Sequence, residues 1–180
     1  ASHWDAGGDA QQALAWEFRG AEQARLAGLF DRAQQTWQRV AARSDDTALR
    51  LRAKLNLADD LLHSNMPAGR QTLLAVLELV HTVPDGQARL HIEGRCLAAL
   101  LDNAVFAGEP RQAQVHAERL TLLVQHLPTG DRLRALEALV EWAMRQSDTG
   151  LATHGVEQMR LLGPSHPATM SLHAQVRTAA

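Results

Sequence analysis

Residues 95–130, RCLAALLDNAVFAGEPRQAQVHAERLTLLVQHLPTG, constrain the fold more than any other stretch of the chain. Leu97, Leu100, Leu101, Ala104 and Val105 recur at spacings of three and four, the signature of one helix face. Gly108-Glu109-Pro110 stops that helix and opens another, with Pro at a first-turn position where its missing N–H costs nothing. Ala113, Ala117, Leu120, Val124 and Leu127 repeat the pattern, and Pro128-Thr129-Gly130 closes it. The stretch reads as a helical hairpin with a small residue, Ala113, where two helices cross closely.

The rest of the chain alternates in the same way. Asp9 stands as the N-cap of a helix over 10–27, with Leu14, Phe18, Ala21, Ala24 and Leu26 inward, and Gly28 ends it. A second helix opens at Phe30 and faces inward through Ala33, Trp37 and Val40. Ser44-Asp45-Asp46 caps a third over 47–63, inward at Leu51, Leu55, Ala58, Leu61 and Leu62. The fourth, 68–81, carries Leu73, Leu74, Val76, Leu77 and Val80 and is expected to be the most buried. Val83-Pro84-Asp85-Gly86 is a break. The central hairpin spans 87–106 and 111–126. Helix seven runs to Arg145 with Leu133, Leu136, Leu139, Val140 and Ala143 inward, helix eight covers 151–162, and a short closing helix covers 168–176. Ile occurs once and Tyr never, while Ala, Leu, Gln, Arg and Glu dominate. These favour helix over strand, so the chain is expected to be all-α.

Three turn-plus-helix segments look like copies: Gly28 with Ala33, Trp37 and Val40; Gly108 with Ala113, Ala117 and Leu120; Gly150 with Gly155, Met159 and Leu162. Each has a small residue five after the Gly and larger ones beyond. The pairs Gly20-Ala21, Leu100-Leu101 and Trp142-Ala143 precede them. The pattern resembles the tetratricopeptide repeat, in which small residues let paired helices approach and large ones fill the groove between. Units here recur at about 40 residues rather than about 34, and the second fits only with Met66-Pro67 as an insertion, pairing Leu57-Ala58 with Asn65 and Leu74. The Trp and Tyr positions of the pattern are mostly Leu or Ala. A HEAT-type array is the second choice of architecture, although its inter-helix Pro and paired Asp/Arg signature is not visible. The resemblance implies a tail over 1–8, disordered or tag-derived. It implies one domain over 9–180: units 9–44, 45–84, 85–128 and 129–167 and a closing helix 168–177, stacked as an α-solenoid.

Chemistry-bearing patterns are few. A helical metal pair needs partners three or four apart on one face, and His81, His91, His116, His126, His154, His166 and His173 never stand so. The lone Cys96 has no Cys or His at a ligand spacing, excludes an internal disulfide, and fits a reducing, cytoplasmic setting. Asp45-Asp46 reads as a cap. Asp59-Asp60 lies mid-helix, where neighbours diverge by about 100° and cannot share one substrate atom. No Gly-x-Ser-x-Gly elbow or phosphate loop is present. The chain is therefore expected to be no enzyme and to hold no metal or cofactor. With one Lys and a net charge of −2, it lacks the basic patch of a nucleic-acid binder, and its longest apolar runs stop far short of a membrane span.

A repeat without catalytic residues most often presents a concave face to a peptide or partner helix. The resemblance places that face at Phe18, Glu22 and Arg25 in unit one, and at Arg52, Leu55, Asp59 and His63 in unit two. Unit three contributes Arg95, Asp102, Val105 and Phe106, and unit four Glu137, Val140 and Met144. The Lys and Asn that clamp a peptide C-terminus in chaperone-binding members are absent. Glu22–Arg52 and Asp59–Arg95 are expected to bridge adjacent units as partly exposed ion pairs. The implied role is a protein-binding module within a larger bacterial regulatory or assembly protein. The alternative is a small-molecule-sensing domain of a transcriptional regulator. The last helix is expected to expose Met170, Leu172 and Val176, and the first unit Trp4 and Trp16, so that the end faces stack on a second copy or on an adjacent domain.

Overall fold

The computed structural model describes residues 10–164 and 166–179, leaving aside the side chains of Arg177 and Ala179. The tail, Trp4 and the Asp9 cap lie outside the described residues. Among the described residues nine helices follow one another and there is no strand. They are α1 (Ala10–Leu26), α2 (Phe30–Arg43), α3 (Thr47–Ser64), α4 (Met66–Leu79), α5 (Gln87–Phe106), α6 (Pro110–Leu123), α7 (Thr129–Arg145), α8 (Thr149–Leu162) and α9 (Pro167–Ala179). Single 3₁₀ turns, Val80–Thr82 and Val124–His126, follow α4 and α6. The chain divides at the Pro84–Asp85 break into two compact units, Ala1–Pro84 and Asp85–Ala180.

Three of the hairpins are closed by one and the same turn. Leu29, Glu109 and Asp148 each donate their backbone N–H to a carbonyl five residues back, on Ala24, Ala104 and Ala143, at 2.8, 2.9 and 2.9 Å. The residue before each donor is left-handed: Gly28 at φ 76°, Gly108 at 69° and Ser147 at 59°. This is the Schellman closure, which satisfies the last carbonyls of a helix and reverses the chain. The α3–α4 connection differs. Asn65 ends α3, and its side chain caps α4 by accepting from the N–H of Ala68.

The shared turn sets a shared face on the helix that follows. Counted from it, Ala33, Trp37 and Val40 on α2 match Ala113, Ala117 and Leu120 on α6, and all are buried. On α8 the matching residues are Ala152, Val156 and Met159, also buried, because Ser147 and not Gly150 occupies the left-handed position. The register drawn through Gly150 is thus corrected by three residues. On α4 the buried line is Gly69, Leu73 and Val76 rather than a line through Leu74, which is exposed. A Cβ on Gly69 would stand 2.7 Å from the backbone N of Leu62, so glycine is what lets α4 meet α3.

In the first unit, Leu14, Phe18, Ala21 and Ala24 of α1 meet Ala33, Trp37 and Val40 of α2 and Ala53 of α3 in one core. Leu26, expected inward, is exposed, and Leu61 and Leu62 are half-buried. Helix α4 exposes Leu74 and Leu79 and is not the most buried element. In the second unit, α5 carries the densest apolar surface and packs on both α6 and α7, and α7 packs on α8. Helix α9 lies against α7 and α8. It buries Leu172 and Val176, correcting the expectation that both face solvent; Met170 is exposed as expected. The step between hairpins is not the same in the two units: against the preceding hairpin, α3 packs mainly on α2, whereas α7 packs mainly on α5.

Candidate functional site

Up-down-up packing makes α5 and α7 parallel. At their first turns, His91 Nδ1 donates to Asp131 Oδ2 at 2.7 Å and ties the two together. Further along the same seam, the guanidinium of Arg134 on α7 holds Asp102 on α5 and, at 3.1 Å, Glu137 on its own helix. Glu141 stands one turn beyond Glu137. Counted back from Gly108 and Ser147, Asp102 and Glu141 occupy one level of the seam and Val105 and Met144 the next. Phe106, beside Val105, leaves 74% of its surface in solvent.

The electrostatics of this seam are uneven. Burial pushes the Asp102 carboxyl up from 3.8 to about 6. Arg134 opposes the rise, while Glu141 and Glu137 add to it. Desolvation disfavours the charged form and like charges reinforce that, so one guanidinium does not offset three carboxylates.

Beside this seam lies a cleft of about 120 Å³, lined by Met144, Ser147, Thr149, Ala152 and Val176. It forms where α9 meets the end of α7 and the start of α8. Val176, near the end of α9, meets Met144, near the end of α7, so α9 runs parallel to α7. The ends of α5, α7 and α9 thus lie at one end of the second unit: Met144 lines the cleft, Val105 and Phe106 stand at its level on α5, and Asp102, Glu137 and Glu141 lie one to two turns back along α5 and α7.

Other expected residues are placed differently. Phe18 is buried at 3% exposure within the first unit's core, with Arg52 over its ring, 4.8 Å from the centroid. It offers no apolar spot to a partner. Leu55 and Val140 are also buried and line no groove, because the inward stripes of α3 and α7 are wide enough to include them. The expected Glu22–Arg52 pair gives way to two other contacts: Arg52 on Phe18, and Arg25 Nε donating to Asp60 Oδ1 at 3.0 Å. Asp60 is 6% exposed on its side chain, which makes Arg25 its anchor rather than a free groove cation. Glu22, Asp59 and Arg95 are half-buried, and exposed His63 donates from Nδ1 to the carbonyl of Asp59 at 2.9 Å. Of the expected set, Asp102 and Glu137 are joined through Arg134, and Val105, Phe106 and Met144 follow one or two turns further along the same helices.

Arg134, Glu141 and Ser147 were not singled out by sequence, and Val176 was expected to face solvent. Ser147 was detectable, since it stands where Gly108 stands relative to a buried small residue five positions on. Val176 carried no such signal, as its burial depends on how α9 docks.

Among the described residues, no group of three His, Cys, Asp or Glu side chains could hold a metal ion, and no helix is long and apolar enough to cross a membrane. No family model matches the chain, and no curated protein or solved structure shows significant similarity to it.

Proposed function

We propose that this chain is a non-catalytic protein-interaction module that binds a segment of a partner protein across the ends of α5, α7 and α9. The observation that carries this reading is the apolar cleft beside Met144, continuous in register with Val105 and the exposed Phe106. Exposed apolar surface next to a groove and rimmed by polar residues marks interaction sites. The tetratricopeptide-like solenoid is part of the proposal. It rests on the Schellman turn of three hairpins and on the buried face of all four second helices, which opens on a small residue, Ala33, Gly69, Ala113 or Ala152, and ends on a larger one.

At this cleft, size favours a side chain over a small-molecule ligand. Pockets for such ligands run to roughly 300–1,000 Å³. The cleft, at about 120 Å³, suits one aliphatic side chain. A thermal-shift screen of peptides against sugars and other metabolites tests the choice. Stabilisation by peptides, lost in Phe106→Ala and Met144→Ala, is the expected result. Stabilisation by a metabolite alone would establish the sensor instead. Because Phe106 is mostly exposed, Phe106→Ala is expected to leave the melting temperature of the free chain within about a degree or two, as surface substitutions do.

A further inference from the structure

The same surface has a chemical preference. Arg134 binds Asp102 and Glu137, and Glu141 adds a third negative charge near Asp102. Arg145, four residues past Glu141 on the same helix face and exposed, is the next cation along α7 and leaves three carboxylates against two guanidiniums. The seam therefore carries more carboxylate than guanidinium; Asp102 and Glu137 are partly buried and Glu141 is exposed, so a cation at the first two gains more than it would in water. Burial chiefly, and then Glu141 and Glu137, push the Asp102 carboxyl up despite its bond to Arg134. One helical turn away are the half-exposed Val105 and Met144, the exposed Phe106 and the apolar cleft. Charge and apolar surface are thus offset by the spacing of a single turn.

We infer that the occupant is a protein segment carrying Lys or Arg about one helical turn from a bulky aliphatic residue. The aliphatic side chain enters the Met144–Val176 cleft and the cation meets Asp102, Glu137 and Glu141. This rests on the partner-binding reading of the same surface. It adds the sign of the partner's charge and its spacing from the apolar anchor. An acidic segment is repelled, and a purely apolar one gains nothing from the surplus of carboxylate over guanidinium.

The test is selection from a phage-displayed library of random dodecapeptides against the full 180-residue chain, followed by fluorescence anisotropy on synthetic copies of the enriched peptides. The expected peptides carry Lys or Arg three or four positions from Leu, Ile or Met. Replacing that cation by Glu should weaken binding at least tenfold. The double variant Asp102→Asn/Glu141→Gln should weaken it several-fold and flatten its dependence on salt, while Met144→Ala and Phe106→Ala weaken it independently of salt. If the enriched peptides are neutral or acidic, or bind the Asn/Gln variant as tightly as the parent, the charge inference is overturned. Loss of those same peptides in Met144→Ala would then leave the surface reading standing. If peptides bind Met144→Ala and Phe106→Ala with parental affinity, the surface reading falls and the inference with it. Failure to enrich any peptide counts against both.

Discussion

Asp102→Asn is expected to stabilise the free chain at neutral pH, although it removes one half of an ion pair. Two effects oppose each other at this residue. Arg134 favours the carboxylate, and losing that attraction should cost stability. Burial disfavours the carboxylate, as do Glu141 and Glu137, and burial is the largest of the causes. The net displacement, from 3.8 to about 6, says which side wins. Between these values the folded chain holds a proton that the unfolded chain has released. Stability therefore falls as pH rises through that window, and the contribution present below about pH 4 is lost above about pH 6. A shift of this size corresponds to at most about 3 kcal/mol. Asp102 keeps 26% of its side-chain exposure and Arg134 keeps 50%, so water and side-chain motion reduce the realised effect to about 1–2 kcal/mol. The amide oxygen of Asn still accepts from Arg134. Urea unfolding of parent and variant from pH 3.5 to 8 reads this directly: a variant more stable by that amount at pH 7.5, with the gain vanishing below pH 4. A variant less stable than the parent at pH 7.5, or a gain that does not change with pH, would refute the reasoning.

Three further outcomes are open to measurement by chemical or thermal unfolding. Gly69→Ala should destabilise by about 1–3 kcal/mol, since its Cβ meets the backbone of Leu62 rather than a side chain able to turn away. Ser147→Gly should raise stability by about 0.5–1 kcal/mol, because a residue with a Cβ is held there at φ 59° where two sister turns use glycine. Arg25→Ala should cost about 1–3 kcal/mol by leaving the buried Asp60 carboxylate unpaired; a smaller cost in an Asp60→Asn background would confirm that the loss runs through this pair.

Much of the helical layout was legible because its punctuation is local. Gly28, Asp46, Gly108 and Pro110 act through their own backbone and caps, and the bounds of α5 follow from Gly86 and Gly108 alone. The inward faces of α2 and α6 were legible for the same reason, since a fixed turn sets the phase of the helix after it. Where the turn residue was not glycine, the phase was lost: Gly150 drew the register of α8 away from Ser147, and Asn65 that of α4 away from Gly69. Burial on the first helices depended on neighbours the sequence does not name. Periodicity places Phe18 and Leu26 near one stripe, yet the core takes the first and leaves the second in solvent. The candidate site was half visible in the same sense. Asp102, Val105, Phe106 and Met144 follow from hairpin register, whereas Arg134, Glu141 and Val176 join them only through the docking of α7 on α5 and α9 on α7.

The i to i−5 closure of three hairpins bears on how the chain acquires its structure. Each such turn brings two helices together across a handful of residues, so the loop-closure entropy of starting a hairpin is small. Most packing partners are consecutive helices, which gives the chain a low contact order. Hairpins of this kind can nucleate separately and recruit the next helix afterwards, on microsecond to millisecond time scales. The α3–α4 connection lacks the Schellman closure and needs a close backbone approach at Gly69 before its helices can meet. It is therefore the hairpin whose formation should lag, and hydrogen exchange during refolding should protect α3 and α4 after α5 and α6.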